Sequence, residues 1–252
     1  MKIIILNTWG SRNDKEFSDF LIKNQEVDVF CFQEILKGGN GRTSRGELKN
    51  SYEFTSKILT NHYGYFAKYP DDSYYGEDSS GLDFEFGLAC FTKKIHKQSF
   101  INSVSLNDRE QKWSDYTGRI SVGTAMGIKV LDFIIINVHG IWQGGIKKDT
   151  EAKIEQNRRI IELVNKNQGR KIICGDFNLN PDTECIKMIE NLPMRNLIKE
   201  YKITSTRTSL YTKNDRLADY VFVDNDIKVT DFQVLSDEIS DHAALELDIS
   251  SS

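Results

Sequence analysis

Short apolar runs alternate with polar stretches along this chain, and ten of the runs have the length and composition of β-strands. They cover residues 2–7, 28–33, 62–68, 86–92, 119–129, 132–139, 171–175, 219–223, 228–235 and 243–249. Helical periodicity is confined to a few segments. Phe17, Phe20 and Leu21 line one face of 14–25, and Ile154, Ile161 and Val164 line one face of 150–166 beneath a Lys/Glu/Arg-rich outer face. A shorter helix is predicted at 183–190, after Pro181. The runs 119–129 and 132–139, joined through Lys129 to Asp132, form a predicted hairpin. Hairpins mixed with strand-helix-strand units predict two stacked mixed sheets with helices outside. The sequence has no internal repeat, low-complexity tract or Pro/Ser linker, so one domain over 1–252 is expected.

Several runs stop on a polar residue: IIILN on Asn7, VFCFQE on Glu34, IIINVH on His139, and IICGDFN on Asp176 and Asn178. Ser240-Asp241-His242 adds a further polar cluster. A carboxylate or imidazole at the end of a buried strand costs several kcal/mol of desolvation unless a partner offsets it. A shared site for a metal ion and a phosphate is such a partner.

Composition narrows the options. With 252 residues and 39% hydrophobic content the chain can bury a substantial core, and a net charge of -4 excludes a partner held by a general basic field. Charge is uneven locally. Lys37, Arg42, Arg45, Lys49 and Lys57 outnumber Glu47 and Glu53 across 37–57, whereas six acids face Lys68 alone across 68–85. If these stretches flank a cleft, one rim attracts phosphate and the other repels it. Cys31, Cys90, Cys174 and Cys185 match no zinc or disulfide spacing and read as core residues of a reducing compartment. The run after Met1 is too short for a signal segment, and no run approaches the ~20 residues of a membrane span. A cytoplasmic protein without membrane association is expected, monomeric, and sensitive to truncation of its first strand.

The segments LNTWG at 6–10, FQE at 32–34, NVHG at 137–140, GDFN at 175–178, ADYVFV at 218–223 and SDH at 240–242, in this order and spacing, resemble the endonuclease/exonuclease/phosphatase superfamily, the deoxyribonuclease-like fold. The resemblance spans nearly the whole chain. It implies an α/β fold, a four-layer α/β sandwich of two packed mixed β-sheets flanked by helices. It also implies hydrolysis of phosphate esters with Mg²⁺ or Mn²⁺ in a cleft between the sheets.

Elementary chemistry assigns provisional roles. Hydrolysis of a phosphodiester needs a cation, oriented donors and a proton acceptor. Glu34 is a hard oxygen ligand suited to Mg²⁺. Asn7 can coordinate or orient that shell without adding charge, and the resemblance places it there too. In GDFN, Gly175 permits a tight strand exit, and an extended backbone would turn Asp176 and Asn178 to the same side. Asp176 can orient or deprotonate the attacking water, and Asn178 can donate to a phosphate oxygen; an Asx-turn is the structural alternative. His139 can donate to the developing charge or protonate the leaving group, and Asn137, two residues earlier, faces the same way. By the family pattern Asp219 orients His242, leaving Asp241 as a metal or outer ligand, and Glu85 orients His139. Whether Asp176 or His242 is the base stays open.

Departures from the family pattern narrow the branch. Abasic-site endonucleases carry Tyr where this chain has His139, and inositol polyphosphate phosphatases carry an aromatic and an Arg where this chain has Leu179 and Asn180. The His-bearing branch remains, whose members share a site but not a substrate. Trp9, Tyr74, Tyr75, Trp113 and Trp142 are candidates to stack on bases, and Lys147, Lys148, Arg207, Lys213 and Arg216 to meet a polyanion. The expectation is a nuclease acting on DNA or RNA. The alternatives are a phosphatase or phosphodiesterase for a small phosphorylated metabolite or lipid headgroup, and an inactive binding module.

Overall fold

Strand β1 (Lys2–Asn7) is apolar at consecutive positions because it is covered on both faces: Ile3 and Ile5 enter one hydrophobic cluster, Ile4 and Leu6 another. The computed structural model describes residues 1–70, 81–108, 115, 120–121 and 123–250. The first sheet has the order β11 (Val229–Val234), β12 (Leu245–Ile249), β1, β2 (Val29–Lys37), β4 (Glu85–Lys93), β3 (His62–Lys68). The second has the order β5 (Gln98–Ser105), β6 (Thr124–Val130), β7 (Phe133–His139), β8 (Arg170–Asp176), β10 (Asp219–Asp224), β9 (Met194–Asn196). Each sheet is mixed, with β1 parallel to β2 and β7 parallel to β8. Helices α1 (Asp14–Lys23) and α2 (Ser51–Ile58) cover the first sheet, with Phe17, Phe20 and Leu21 on Phe30 and Phe32. On the second sheet lie α3 (Glu151–Asn165), α4 (Glu184–Glu190) and the short α5 (Leu197–Glu200). The four-layer α/β sandwich is therefore observed.

Between the sheets β2 meets β7 through a polar link inside an apolar layer. Gln33 Nε2 donates to Asn137 Oδ1 at 2.6 Å, and Asn137 Nδ2 donates back to the Phe32 carbonyl at 3.1 Å. Both side chains are fully buried. Bonds of this kind have narrow geometry, so they fix the sideways offset of one sheet on the other.

The structure departs from the sequence-based expectations in several places. β5 (QSFINSVS), β9, α2 and α5 were not predicted; β5 is an edge strand whose polar positions hide the alternation. The hairpin turns at Leu131–Asp132, with Val130 opposite Phe133 and β6 beginning at Thr124. Residues 119 and 122 lie outside the described residues. VFCFQE does not end its strand. β2 continues to Lys37 through an irregularity between Phe32 and Ile35, and Glu34 sits there at φ 57°.

The buried face of α3 is not the predicted Ile154, Ile161 and Val164 stripe. Val164 shares that face with Ala152, Lys153, Gln156, Asn157, Ile160 and Leu163, three of the seven polar, while Ile154 and Ile161 are only partly buried at its edge. Those polar groups serve the loops above: Gln156 Oε1 accepts the Ile141 amide at 2.6 Å, and Lys153 Nζ donates to the Asn178 carbonyl at 2.7 Å. No helix among the described residues is long and apolar enough to cross a membrane.

Candidate active site

Register places the polar residues in a row. His139, at the end of β7, lies opposite Asp176 on β8, and Asp176 lies opposite Asp219 on β10. The parallel β7–β8 pair and the antiparallel β8–β10 pair thus align three ionisable groups at one rim of the second sheet. From the first sheet Asn7 ends β1, and the irregularity in β2 pushes Glu34 out of the pleat toward them. Asn7 Nδ2 joins the sheets, donating to Glu34 Oε1 at 3.0 Å and to Asp176 Oδ2 at 3.1 Å.

Strained backbone is concentrated here. Trp9, Glu34 and Asn178 have φ of 53°, 57° and 53°, a region costing about 1–2 kcal/mol per non-glycine residue. Each of them lines the cleft. Gly175, at φ 128°, is the one position beneath the row where any side chain would strike the Val138 carbonyl.

The two imidazoles are held differently. His242 Nδ1 lies 2.8 Å from Asp219 Oδ1, and Asp219 Oδ2 accepts the Thr206 hydroxyl at 2.6 Å. The carboxylate therefore holds a proton on Nδ1 and leaves Nε2 facing Asp176 Oδ2 at 3.5 Å. Burial pushes the His242 pKa down, but Asp219 and Asp176 outweigh burial and Arg207, and the result is a raised value. Burial likewise pushes the Asp176 carboxyl up, yet the neighbouring His242, His139 and Arg207 bring it down to about 2. Asp176 is thus an ionised acceptor at neutral pH.

His139 is oriented by Tyr69 and not by Glu85. The Tyr69 hydroxyl lies 2.6 Å from His139 Nδ1. Burial raises the phenol well above its usual value, so it keeps its single proton. A phenol that donates its proton to Nδ1 leaves the ring hydrogen of His139 on Nε2. Nε2 lies 3.7 Å from Glu34 Oε1 and 3.8 Å from Asp176 Oδ2 and faces the cleft as a donor. Tyr69, buried ahead of Pro70, had no signature in the sequence.

Other expected residues fall as follows. Asp176 Oδ1 accepts the Asn178 amide at 2.9 Å, so the Asx-turn exists while Oδ2 accepts from Asn7 at the cleft. The Asn178 side chain does not follow the extended alternation; its Nδ2 donates to the Gly140 carbonyl at 3.2 Å. Asn137 belongs to the link between the sheets and does not line the cleft. Arg216 is exposed and donates to the Tyr211 carbonyl at 3.3 Å, outside the cleft lining. Trp9 and Trp142 line the cleft, as do Lys147, Arg207 and Lys213 but not Lys148. Tyr74, Tyr75, Trp113 and the acids of 71–80 lie outside the described residues. The basic stretch 37–57 is not an open phosphate rim, because Lys49 pairs with Asp83 at 2.8 Å and Arg42 with Asp14 at 2.8 Å. Arg12, missed by the sequence analysis, lines the cleft, lies 4.5 Å from the centre of the Trp9 ring and pairs with the buried Glu47 at 2.7 Å.

The donor set fits a hard divalent cation. Glu34, Asp176 and Asp241 offer carboxylate oxygens around one cleft, a grouping that repels itself unless a cation sits among them. Asp176, Asp219 and His242 also bring ligand atoms within 4.8 Å of one another. Asp219 is the least available of these, since both its oxygens are held by His242 and Thr206 and it does not line the cleft. Asn7 points its amide nitrogen at the carboxylates while its Oδ1 accepts the Trp9 amide at 3.0 Å, so in this arrangement it orients the ligands.

Structures of the same architecture are known. The chain aligns over 99% of its length with 98% of an endonuclease/exonuclease/phosphatase from Bacteroides vulgatus (17% identity, TM-score 0.65). It aligns over 99% with 99% of a mannosyl-6-phosphatase from Bacteroides thetaiotaomicron (14%, 0.68), and over 99% with 93% of the human Nocturnin catalytic domain (18%, 0.62). At these identities the likeness is one of fold. No curated protein matches the sequence. The family model for the Endonuclease/Exonuclease/phosphatase family matches residues 6–242, from the strand that ends on Asn7 to His242 itself. With the cleft and the motif residues all within that span, the chain belongs to the endonuclease/exonuclease/phosphatase family.

Proposed function

We propose that this chain is a Mg²⁺- or Mn²⁺-dependent phosphodiester hydrolase whose substrate is a nucleic acid. The observation that carries the reading is the convergence of Glu34, His139, Asp176 and His242 from both sheets, with His139 3.7 Å from Glu34 and 3.8 Å from Asp176, and Asp176 3.5 Å from His242. Glu34, Asp176 and Asp241 would hold the ion, which supplies positive charge against the nonbridging oxygens of the phosphate. Asp176, ionised and rigidly turned by the Asn178 amide, orients the attacking water and accepts its proton. His242, charged through Asp219, donates from Nε2 to a phosphoryl oxygen. His139 donates from Nε2 with its tautomer set by Tyr69. Trp9 and Trp142 on the cleft walls offer ring faces to a base.

A second reading, hydrolysis of a small phosphorylated metabolite, is favoured by the size of the cleft. Its enclosed part holds about 180 Å³, below the about 300 Å³ at which drug-sized sites begin. Turnover of a dinucleotide, a single-stranded oligomer and nitrophenyl phosphate, each with and without EDTA, separates the two. Faster cleavage of the monoester would sink the nucleic-acid reading.

A further inference from the structure

The wall opposite Trp9 carries more positive charge than one phosphate needs. Residues 206–208 run antiparallel beside 241–243: Ala243 N donates to the Thr206 carbonyl at 2.9 Å, and Arg207 bridges His242. This sets Arg207 at the edge of the site with a side chain only 4% exposed. A guanidinium so buried normally has all its donors occupied. Arg207 has one carboxylate contact, to Asp241 at 3.3 Å, and its face on Tyr211 at 4.2 Å, while its Nε has no partner among the described residues. Lys147 is also buried, its Nζ donating only to the backbone carbonyls of Asp215 and Leu217 and lying 5.4 Å from the centre of the same Tyr211 ring. Lys213 brings its Nζ against Gly145 on the cleft wall.

We propose that Arg207, Lys147 and Lys213 form a second anion subsite, which receives a further phosphate of the substrate while the scissile phosphate lies among Glu34, Asp176, His139 and His242. The inference rests on the hydrolase reading above and narrows its substrate to molecules with at least two phosphates. Charge balance argues for it. With Arg12 neutralised by Glu47, the cleft lining keeps the cations Lys147, Arg207 and Lys213 against the carboxylates Glu34, Asp176 and Asp241. A bound divalent ion then leaves an excess of positive charge that one phosphodiester anion does not cancel, before either histidine is counted. A second phosphate cancels the remainder and offers acceptors to the Arg207 guanidinium, whose buried Nε has no partner among the described residues. A phosphodiester chain has such a phosphate one nucleotide away; a small bisphosphate has it on the same molecule.

The test is calorimetric binding to the whole protein in Ca²⁺, with product analysis to show that each ligand stays intact. The probes are the dinucleotide TpT and its terminally phosphorylated forms pTpT and TpTp. One of the phosphorylated forms is expected to bind about 10- to 100-fold more tightly than TpT, the range of a hydrogen bond to a charged group. In Arg207→Gln, and separately in Lys213→Gln should the first variant fold poorly, that ratio is expected to collapse toward one. Equal binding of TpT, pTpT and TpTp, a ratio unchanged in both variants, or no binding of any dinucleotide overturns the proposal for a nucleotide chain. Tight, Arg207-dependent binding of fructose 1,6-bisphosphate over fructose 6-phosphate would instead support the subsite and assign it to a small bisphosphate. The hydrolase reading fails separately, if no phosphate ester is turned over in Mg²⁺ or Mn²⁺.

Discussion

At the scale of single residues, the two histidines carry opposite instructions. Asp219 keeps His242 charged, so activity that needs the imidazolium is present below its raised pKa and lost as pH rises through it. Asp219→Asn removes that attraction and is expected to move the alkaline limb of the kcat/KM profile to lower pH; an unmoved limb would assign the titration elsewhere. Tyr69 governs the other imidazole. Tyr69→Phe is expected to lower kcat on the order of 10- to 100-fold with little change in KM. In ¹⁵N NMR the His139 ring should pass from the Nε2–H tautomer to a mixture, a change that a purely packing role for Tyr69 would not produce. Asn7, His139 and Asp176 were legible in the sequence because each closes an apolar run, where a polar residue has no packing use, and Asp219 was legible only through the family resemblance. Tyr69, Arg12 and the Gln33–Asn137 pair were not. Their partners come from other strands or loops, and register between segments far apart in sequence leaves no local trace.

At the scale of elements, α3 shows how a helix can be predicted correctly and its face misassigned. Periodicity located it, but an apolar stripe alone does not reveal that Lys153 and Gln156 turn inward to hold the loops that carry Ile141, Phe177 and Asn178, while Asn157 donates to the Cys185 carbonyl. The buried ammonium has a measurable signature. Burial brings Lys153 from the usual 10.5 down to about 8, so between those values the unfolded chain binds more protons and stability rises with pH. Relative to Lys153→Met, wild type should gain on the order of 3 kcal/mol from pH 7.5 to pH 11 in urea titrations, from the size of that shift. A constant difference across the window would mean that the ammonium is solvated. The strands missed from the sequence failed for a related reason: β5 is an edge strand with polar positions on both faces, and β9 has three residues, too few for any period to show.

At the scale of the molecule, the site exists only where the two sheets meet, so its occupancy and the stability of the sandwich are linked. A divalent ion held among Glu34, Asp176 and Asp241 would relieve their repulsion in the folded chain alone, so added Mg²⁺ or Mn²⁺ is expected to raise Tm by mass action. Glu34→Ala should raise Tm in EDTA, abolish turnover, and remove most of the rise caused by added metal. Equal metal-induced shifts in both proteins would exclude Glu34 as a ligand. The pairing that closes the first sheet has a different consequence. β1 is bordered by β12, with the Met1 amino group 2.6 Å from the Ile249 carbonyl, whereas every strand of the second sheet falls between residues 98 and 224. On the ribosome, the second sheet can therefore zip up first, while β1 waits with one bare edge for a neighbour that emerges more than two hundred residues afterwards. An exposed edge of that kind is a template for pairing with other chains, so crowded nascent chains should aggregate through β1, not through the catalytic rim.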